Sequence, residues 1–452
     1  MALTLDDSGY RGLVLEKLSA AGAKVGDTIT IDHQGREYVG ILMPRAQVGR
    51  DPDHVVIKLV SGYNVGIRLN EVSEIHSTKS GKKRKQTAEK TAPKAQSGLP
   101  TVSILSTGGT IASKVDYQTG AVNPALSAQD LYDTVPELKD HANIHARIVM
   151  SVLSENIQPA DWTKIARSVS SEIKKRVDGV VIAHGTDTLG ITSAALAFAL
   201  QDLPVPVVLV GSQRSSDRPS SDAAMNLIRA TDFVGHANAA EVMVVMHGET
   251  DDTFAYAHRG TRVRKCHTSR RDAFQSVNCS PLFRIDETGI AELSAPLLRR
   301  SPERKLKMKP KFDNRVAVVS TFPGIKPDVI NSYVDSGYRG LVLAGTGLGH
   351  APENIHPALK RAIDAGVIVA MTSQCIWGRV NMNVYRPGVE MLEMGVIPCE
   401  NMLIETATVK LMWLLANTKN AEKAHAAMSE CIVGEMSMRT ELSEYRIQSE
   451  VC

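Results

Sequence analysis

Aromatic residues are scarce in this chain: Trp, Tyr and Phe together make up 4% of its 452 residues. Broad nucleic-acid binding by stacking bases on aromatic platforms is therefore not what the composition offers. Charge of one sign is not in excess either, with 52 Lys and Arg against 49 Asp and Glu, so any contact with a polyanion is expected to be local. The six cysteines, Cys266, Cys279, Cys375, Cys399, Cys431 and Cys452, form no C-x-x-C pair and no regular spacing. They signal neither a zinc or other metal site nor a disulfide framework, which fits a reducing cytosol. No run approaches the ~18 apolar residues of a membrane span, and Met1-Ala-Leu-Thr-Leu-Asp-Asp places acid where a secretory signal places base. A cytoplasmic protein, not bound to a membrane and long enough for two or three packed domains, is expected.

What the chain does contain divides it. Lys79 to Gly98 carries seven basic residues against the single acid Glu89 and no large apolar side chain. Its own net charge of +6 exceeds the +3 of the whole chain, so the remainder is mildly acidic. Such a run reads as a self-repelling tether, with a phosphate-contacting arm as the sharper alternative. Before it, residues 1–78 combine a helical stripe (Tyr10, Leu13, Val14, Leu18, Ala21) with short β-branched runs at Asp27–Ile31, Glu37–Leu42, Val55–Leu59 and Asn64–Leu69. This texture suggests a small antiparallel β-barrel-like domain.

After the tether, strands alternate with amphipathic helices, the rhythm of α/β domains with mostly parallel sheets. Strands are expected at Val102–Ser106, Asn143–Met150, Gly179–Ala183, Val205–Gly211 and Glu241–His247, and again at Arg315–Thr321, Gly340–Ala344 and Val367–Thr372. A large domain over 99–300, a smaller one over 313–425 and a helical tail over 426–452 follow. The octapeptide SGYRGLVL occurs at Ser8–Leu15 and at Ser336–Leu343 with unrelated flanks. The first copy reads as helix and the second as turn and strand, because neighbouring periodicity overrides local preference.

Two loops concentrate polar chemistry. Thr107-Gly-Gly-Thr110-Ile-Ala-Ser113 ends the first strand after the tether, where open parallel sheets place ligands. Its adjacent glycines, including Gly109, admit a close backbone approach, although an ordinary glycine turn would look the same. His184-Gly185-Thr186-Asp187-Thr188 ends the strand Gly179–Ala183 on the same sheet edge. Helix capping accounts for one of its polar side chains but not for the whole run. A threonine hydroxyl needs a neighbouring base and oxyanion donors to act as a nucleophile. Cys266 and His267 sit side by side, but neighbours on an extended strand point to opposite faces, so they read as packing and surface. Gly345–His350 is glycine-rich but lacks a P-loop lysine, and Trp377 and Trp413 fit core or subunit contacts.

Together the two loops, about 75 residues apart, resemble the signature motifs of the bacterial-type L-asparaginase family. The likeness runs over roughly 99–418 and includes Val152-Leu-Ser154-Glu-Asn, Val210-Gly-Ser-Gln-Arg214 and Val263-Arg-Lys265. The resemblance implies a pair of α/β domains and a catalytic set of Thr110, Thr186, Asp187 and Lys265. It adds Tyr117 as mobile-loop tyrosine and Gly109, Ser154, Glu155 and Gly185 around the substrate. It also implies acyl transfer through a threonyl ester; the sequence leaves open which threonine attacks first, and Thr110 is chosen because it neighbours the segment carrying Tyr117. Glu155 departs from the Ser-Gln of many plain asparaginases, which leaves side-chain selectivity open.

The barrel, tether and tail go beyond an asparaginase and are similar to the D-subunit family of archaeal-type glutamyl-tRNA(Gln) amidotransferases. That resemblance implies a glutaminase supplying ammonia to a partner E subunit. The partner would use ATP and Mg2+ to convert Glu-tRNA(Gln) to Gln-tRNA(Gln), and this chain itself would hold no cofactor. Glutamine, or else asparagine, is the implied amide, and a homodimer within a heterotetramer the implied assembly. A free asparaginase or glutaminase with an unrelated binding module, and a non-catalytic RNA-recruiting adaptor, are the alternatives.

Overall fold

The computed structural model describes residues 9–43, 53–58, 64–78, 95–108, 113–115, 122–124, 131–132, 135–214, 221–294 and 296–440. Of the expected site residues, Gly109, Thr110 and Tyr117 lie outside this set, as does the tether up to residue 94.

In the amino-terminal region the helix Gly12–Ala20 packs on a five-stranded antiparallel sheet in the order Asn64–Arg68, His54–Lys58, Arg36–Leu42, Thr28–His33, Glu74–Thr78. Among the described residues no ladder joins the two outer strands. The last strand escapes sequence reading because Ile75 is its only large apolar residue; it is held by pairing with Thr28–Asp32. Tyr10, Val14 and Leu18 bury against Ile29, Ile31, Leu42, Val55, Ile57, Ile67 and Leu69. The Tyr10 hydroxyl donates to the Met43 carbonyl at 2.7 Å and accepts from the Val56 N–H at 3.0 Å, as a buried phenol must. This is a core of its own, at about 1.5–3 kcal/mol for each fully buried aliphatic side chain.

The large α/β domain centres on an eight-stranded sheet. Five strands are parallel, in the order Asn143–Ile148, Thr101–Ser106, Gly179–Ala183, Val207–Val210, Val242–His247. Phe254–Arg259, Phe283–Asp286 and Gly289–Glu292 extend it antiparallel. By chain order the parallel part runs second, first, third, fourth, fifth, so the direction of winding reverses between Thr101–Ser106 and Gly179–Ala183. Ligands bind at the carboxyl ends of the strands at such a switch point, and both polar loops begin there. The smaller domain is a four-stranded parallel sheet, Val316–Ser320, Gly340–Gly345, Ile368–Ser373, Ile397–Pro398. Helix Leu189–Ala199 of the large domain packs on helix Ile404–Asn417 of the small one, with the Phe198 and Trp413 rings stacked at 5.7 Å.

The repeated octapeptide adopts both forms: Gly12–Leu15 lie in a helix and Gly340–Leu343 in a strand. Leu341, Val342 and Leu343 are all fully buried, which a strand in a covered parallel sheet permits and an amphipathic helix does not.

The tail differs from expectation. Helix Ala421–Met428 reaches only its first three residues, residues 429–440 form turns without helix, and 441–452 lie outside the described residues. Glu435 accounts for this. Its carboxylate accepts from the Ile432 and Val433 N–H groups at 3.0 and 2.7 Å and pairs with Lys410 Nζ at 2.8 Å, both side chains being 0% exposed. Lys410 also donates to the carbonyls of Met428 and Glu430. A buried charge requires such satisfaction, and a helix over 429–437 would not fold the backbone around it. Among the described residues no helix is long and apolar enough to cross a membrane.

Candidate active site

Each loop is fixed by its strand. The Thr107 N–H and hydroxyl both donate to the Ala183 carbonyl at 3.0 Å, which ties the first loop to the root of the second. Gly108 has φ +116°, and a Cβ there would stand 2.3 Å from the Val152 carbonyl oxygen. Only glycine passes that point. Ser154 is buried at the start of a one-turn 3-10 segment, Ser154–Asn156, whose middle residue Glu155 is exposed. The Thr188 hydroxyl donates to the Ser154 carbonyl at 2.7 Å. A Cβ on Gly185 would meet Ser154 Cβ and Oγ at 2.8 Å, so the serine and the second loop are in direct contact.

The second loop turns as a 3-10 segment, Thr186–Thr188. Lys265 arrives from the strand Val263–Lys265, paired with Phe274–Ser276. Its Nζ lies 2.9 Å from Thr186 Oγ1 and 2.8 Å from Asp187 Oδ1. The lysine side chain is 16% exposed and the aspartate 64%, so the ammonium sits at the floor and the carboxylate opens to solvent. A partly desolvated ammonium held to a hydroxyl and a carboxylate is a proton-handling arrangement, with one carboxylate edge free for a cationic group of a ligand. Thr186, Asp187, Lys265, Ser154 and Gly185 are thus brought to one sheet edge.

The Asp222 carboxylate accepts from the Gln213 and Arg214 N–H groups at 3.0 and 2.9 Å, and Asn226 donates to the Gly211 carbonyl at 3.0 Å. Those bonds shape the loop after Val207–Val210. Cys266 and His267 are both exposed; His267 Nδ1 accepts from the Ser269 and Arg270 N–H groups within the hairpin turn. Among the described residues no hydrogen bond joins Cys266 to His267; the thiol donates to the Arg264 carbonyl at 3.6 Å instead.

Sequence reading gave His184 no role of its own. It is fully buried, and its Nδ1–H donates to the Gly185 carbonyl at 2.7 Å. Burial pulls its pKa down to about 4, against the weaker opposing effect of that bond. The folded value lies below the unfolded one, so its stabilising contribution is complete above about pH 6.5 and is lost as the pH falls toward 4. At pH 5 the loss amounts to roughly 2 kcal/mol. Urea unfolding at pH 7 and pH 5 checks this: wild type is expected to lose roughly that much more than His184→Asn, whereas equal losses would mean that the folded state accepts the proton.

With the geometry established, comparison with known proteins places the chain. The family profile "Asparaginase, N-terminal" matches residues 101–297 and "Glutaminase/Asparaginase C-terminal domain" matches 315–428. A third, "GatD N-terminal domain", matches 23–77. The D subunit of the glutamyl-tRNA(Gln) amidotransferase of Pyrococcus furiosus is 48% identical over 96% of this chain and 100% of its own length. The chain belongs to the D-subunit family of glutamyl-tRNA(Gln) amidotransferases. The D-subunit relative from Methanothermobacter thermautotrophicus is 46% identical over 97% of this chain and 99% of its own length. Among solved structures, the L-asparaginase of Thermococcus kodakarensis has a TM-score of 0.67 and 34% identity, covering 75% of this chain and 99% of its own. L-asparaginase I of Vibrio cholerae has a TM-score of 0.65 and 30% identity, covering 75% and 100%. This member of the D-subunit family therefore carries an asparaginase-like amidohydrolase fold over 101–428, preceded by a separate amino-terminal match over 23–77.

Proposed function

We propose that the site hydrolyses the side-chain amide of glutamine and that the ammonia released is used by a partner E subunit to amidate Glu-tRNA(Gln). The observation that carries the hydrolytic half is Lys265 Nζ held between Thr186 Oγ1 and Asp187 Oδ1. The free edge of Asp187 takes the α-ammonium of the amino-acid substrate. That brings a second cation to the same carboxylate, which then holds both the substrate and the Lys265 ammonium. Thr110 attacks the amide carbonyl, and its hydroxyl proton passes through Thr186 and Lys265 to the departing nitrogen. The C–N bond breaks and ammonia leaves. Water then attacks the threonyl ester, returning the proton to Thr110 and releasing glutamate. Tyr117 closes over the substrate, while Gly109, Ser154, Glu155 and Gly185 line it, with backbone donors of the two loops facing the oxyanion. ATP and Mg2+ belong to the E subunit, and two copies of this chain pair within a heterotetramer.

The coupling to tRNA is supported by near-full-length similarity to D-subunit relatives, amino-terminal domain included. Ammonia release from glutamine and from asparagine is measured with and without the E subunit and charged tRNA. Glutamine hydrolysis stimulated by the complete complex is the expected result. Full hydrolysis indifferent to partner and tRNA would instead identify a free amidohydrolase.

A further inference from the structure

Lys265 belongs to the large domain, yet the backbone leading to it is tied to the small one. The Thr261 residue is fully buried, and its carbonyl accepts from the Thr406 hydroxyl at 2.8 Å. The Arg262 guanidinium, also buried, donates to Asn401 Oδ1 and to the Glu435 carbonyl, each at 3.0 Å, and to the Asn278 carbonyl. Arg264 Nη2 stands 3.4 Å from Glu405 Oε1. Thr406 and Glu405 open the helix Ile404–Asn417, which is clamped from behind by the buried Lys410–Glu435 pair.

We infer that the first turn of the helix Ile404–Asn417, through Thr406 and Glu405, is a positioning element for Lys265. The inference rests on the reading of Lys265 as the proton carrier. Thr261 and Arg262 form the turn that leads directly into the strand Val263–Lys265, which is braced by its partner Phe274–Ser276, and the Arg262 carbonyl accepts from the Val277 N–H at 2.8 Å. A shift at Thr261 is passed along such a braced strand rather than absorbed by it. The lysine has to hold two contacts of hydrogen-bond length at once, and a misplacement of about 1 Å in such a group can cost on the order of a hundredfold in rate. The small domain, which contributes none of Thr186, Asp187 and Lys265, thereby sets the geometry of the relay.

Thr406→Val keeps the side-chain shape and removes the hydroxyl donor, leaving the Thr261 carbonyl unpaired. It is expected to lower kcat for glutamine hydrolysis by roughly ten- to a hundredfold while KM stays within about threefold. Thr406→Ser, which restores the hydroxyl, is expected to recover most of that loss. Glu405→Gln, on the partly exposed side of the same turn, is a second variant for the case in which Thr406→Val does not fold; a kcat loss of about three- to tenfold is expected. Neither variant should lower activity further on a Lys265→Ala background, because both act through that side chain. An inactive Lys265→Ala beside near-wild-type kcat in both positioning variants would overturn the inference. So would a lowered melting temperature without any change in kcat, or a serine variant as impaired as the valine one. An active Lys265→Ala would instead overturn the reading on which the inference stands.

Discussion

Lys265→Ala is expected to reduce amide hydrolysis by about three powers of ten or more, with the melting temperature little changed. The ammonium is the only described cation bonded to both Thr186 and Asp187, and its removal leaves neither residue with a proton partner. Lys265→Arg is not expected to restore the rate, because a guanidinium keeps its proton and cannot cycle between acid and base. Thr186→Ala should fall as far, since the hydroxyl that bridges to the lysine is lost. Steady-state ammonia release checks all three variants. Rates within tenfold of wild type for Lys265→Ala and Thr186→Ala would remove the threonine–lysine mechanism, and a near-normal arginine variant would reduce Lys265 to a source of charge.

The second large effect concerns the amino-terminal region. Removing residues 1–94 is expected to leave glutamine hydrolysis within about threefold and to abolish tRNA-dependent amidation, or its stimulation by charged tRNA. The cut is placed before Gln96, because its N–H donates to Asn143 Oδ1 at 2.7 Å and its carbonyl accepts from Asn143 Nδ2 at 3.0 Å. The helix and five-stranded sheet bury their apolar residues among themselves, and the asparaginase matches begin only at residue 101, so the remainder should fold. If the seven basic residues of Lys79–Gly98 contact phosphate, coupling in the full-length protein should also weaken as salt is raised, through counterion release. Amidated tRNA formed per glutamine hydrolysed, compared for full-length and truncated chains with the same partner, gives the answer. An unchanged ratio would assign the amino-terminal region to something other than coupling.

Much of the fold was legible because parallel strands covered on both faces leave uninterrupted apolar runs. Gly179–Ala183, with all five residues buried, falls where the sequence places it. Helix Pro159–Ile173 carries the same kind of local record, with its buried Trp162, Ile165, Ala166 and Val169 at helical spacing. Strands with one wet face or few apolar residues were not: Glu74–Thr78 and Gly289–Glu292 are defined by their ladders rather than by their own composition. The tail was misread for a related reason. Its conformation is set by a carboxylate seeking Lys410 through the core, a contact between residues 25 apart that no local period records.

At the site, sequence motifs identified the chemistry but not its supports. Thr186, Asp187 and Lys265 were named from two separated motifs, and the structure brings Lys265 Nζ to 2.9 Å from Thr186 Oγ1 and 2.8 Å from Asp187 Oδ1. Arg262, Glu405 and Thr406 carry no signature, because a buried arginine and a helix-start threonine look the same in sequence whether or not they brace a catalytic strand. The neutral state of His184 was likewise invisible, since it follows from complete burial and not from its neighbours in the chain.

The most direct test of the account supplies glutamine labelled with 15N in its side-chain amide to the complete complex with Glu-tRNA(Gln), ATP and Mg2+, and follows the label into the amide of the tRNA-bound amino acid. Wild type is predicted to transfer the label. Thr186→Ala is predicted to transfer none, yet to amidate the tRNA when ammonium chloride is supplied directly. Label arriving at the wild-type rate through Thr186→Ala would contradict the assignment of this site as the source of the nitrogen.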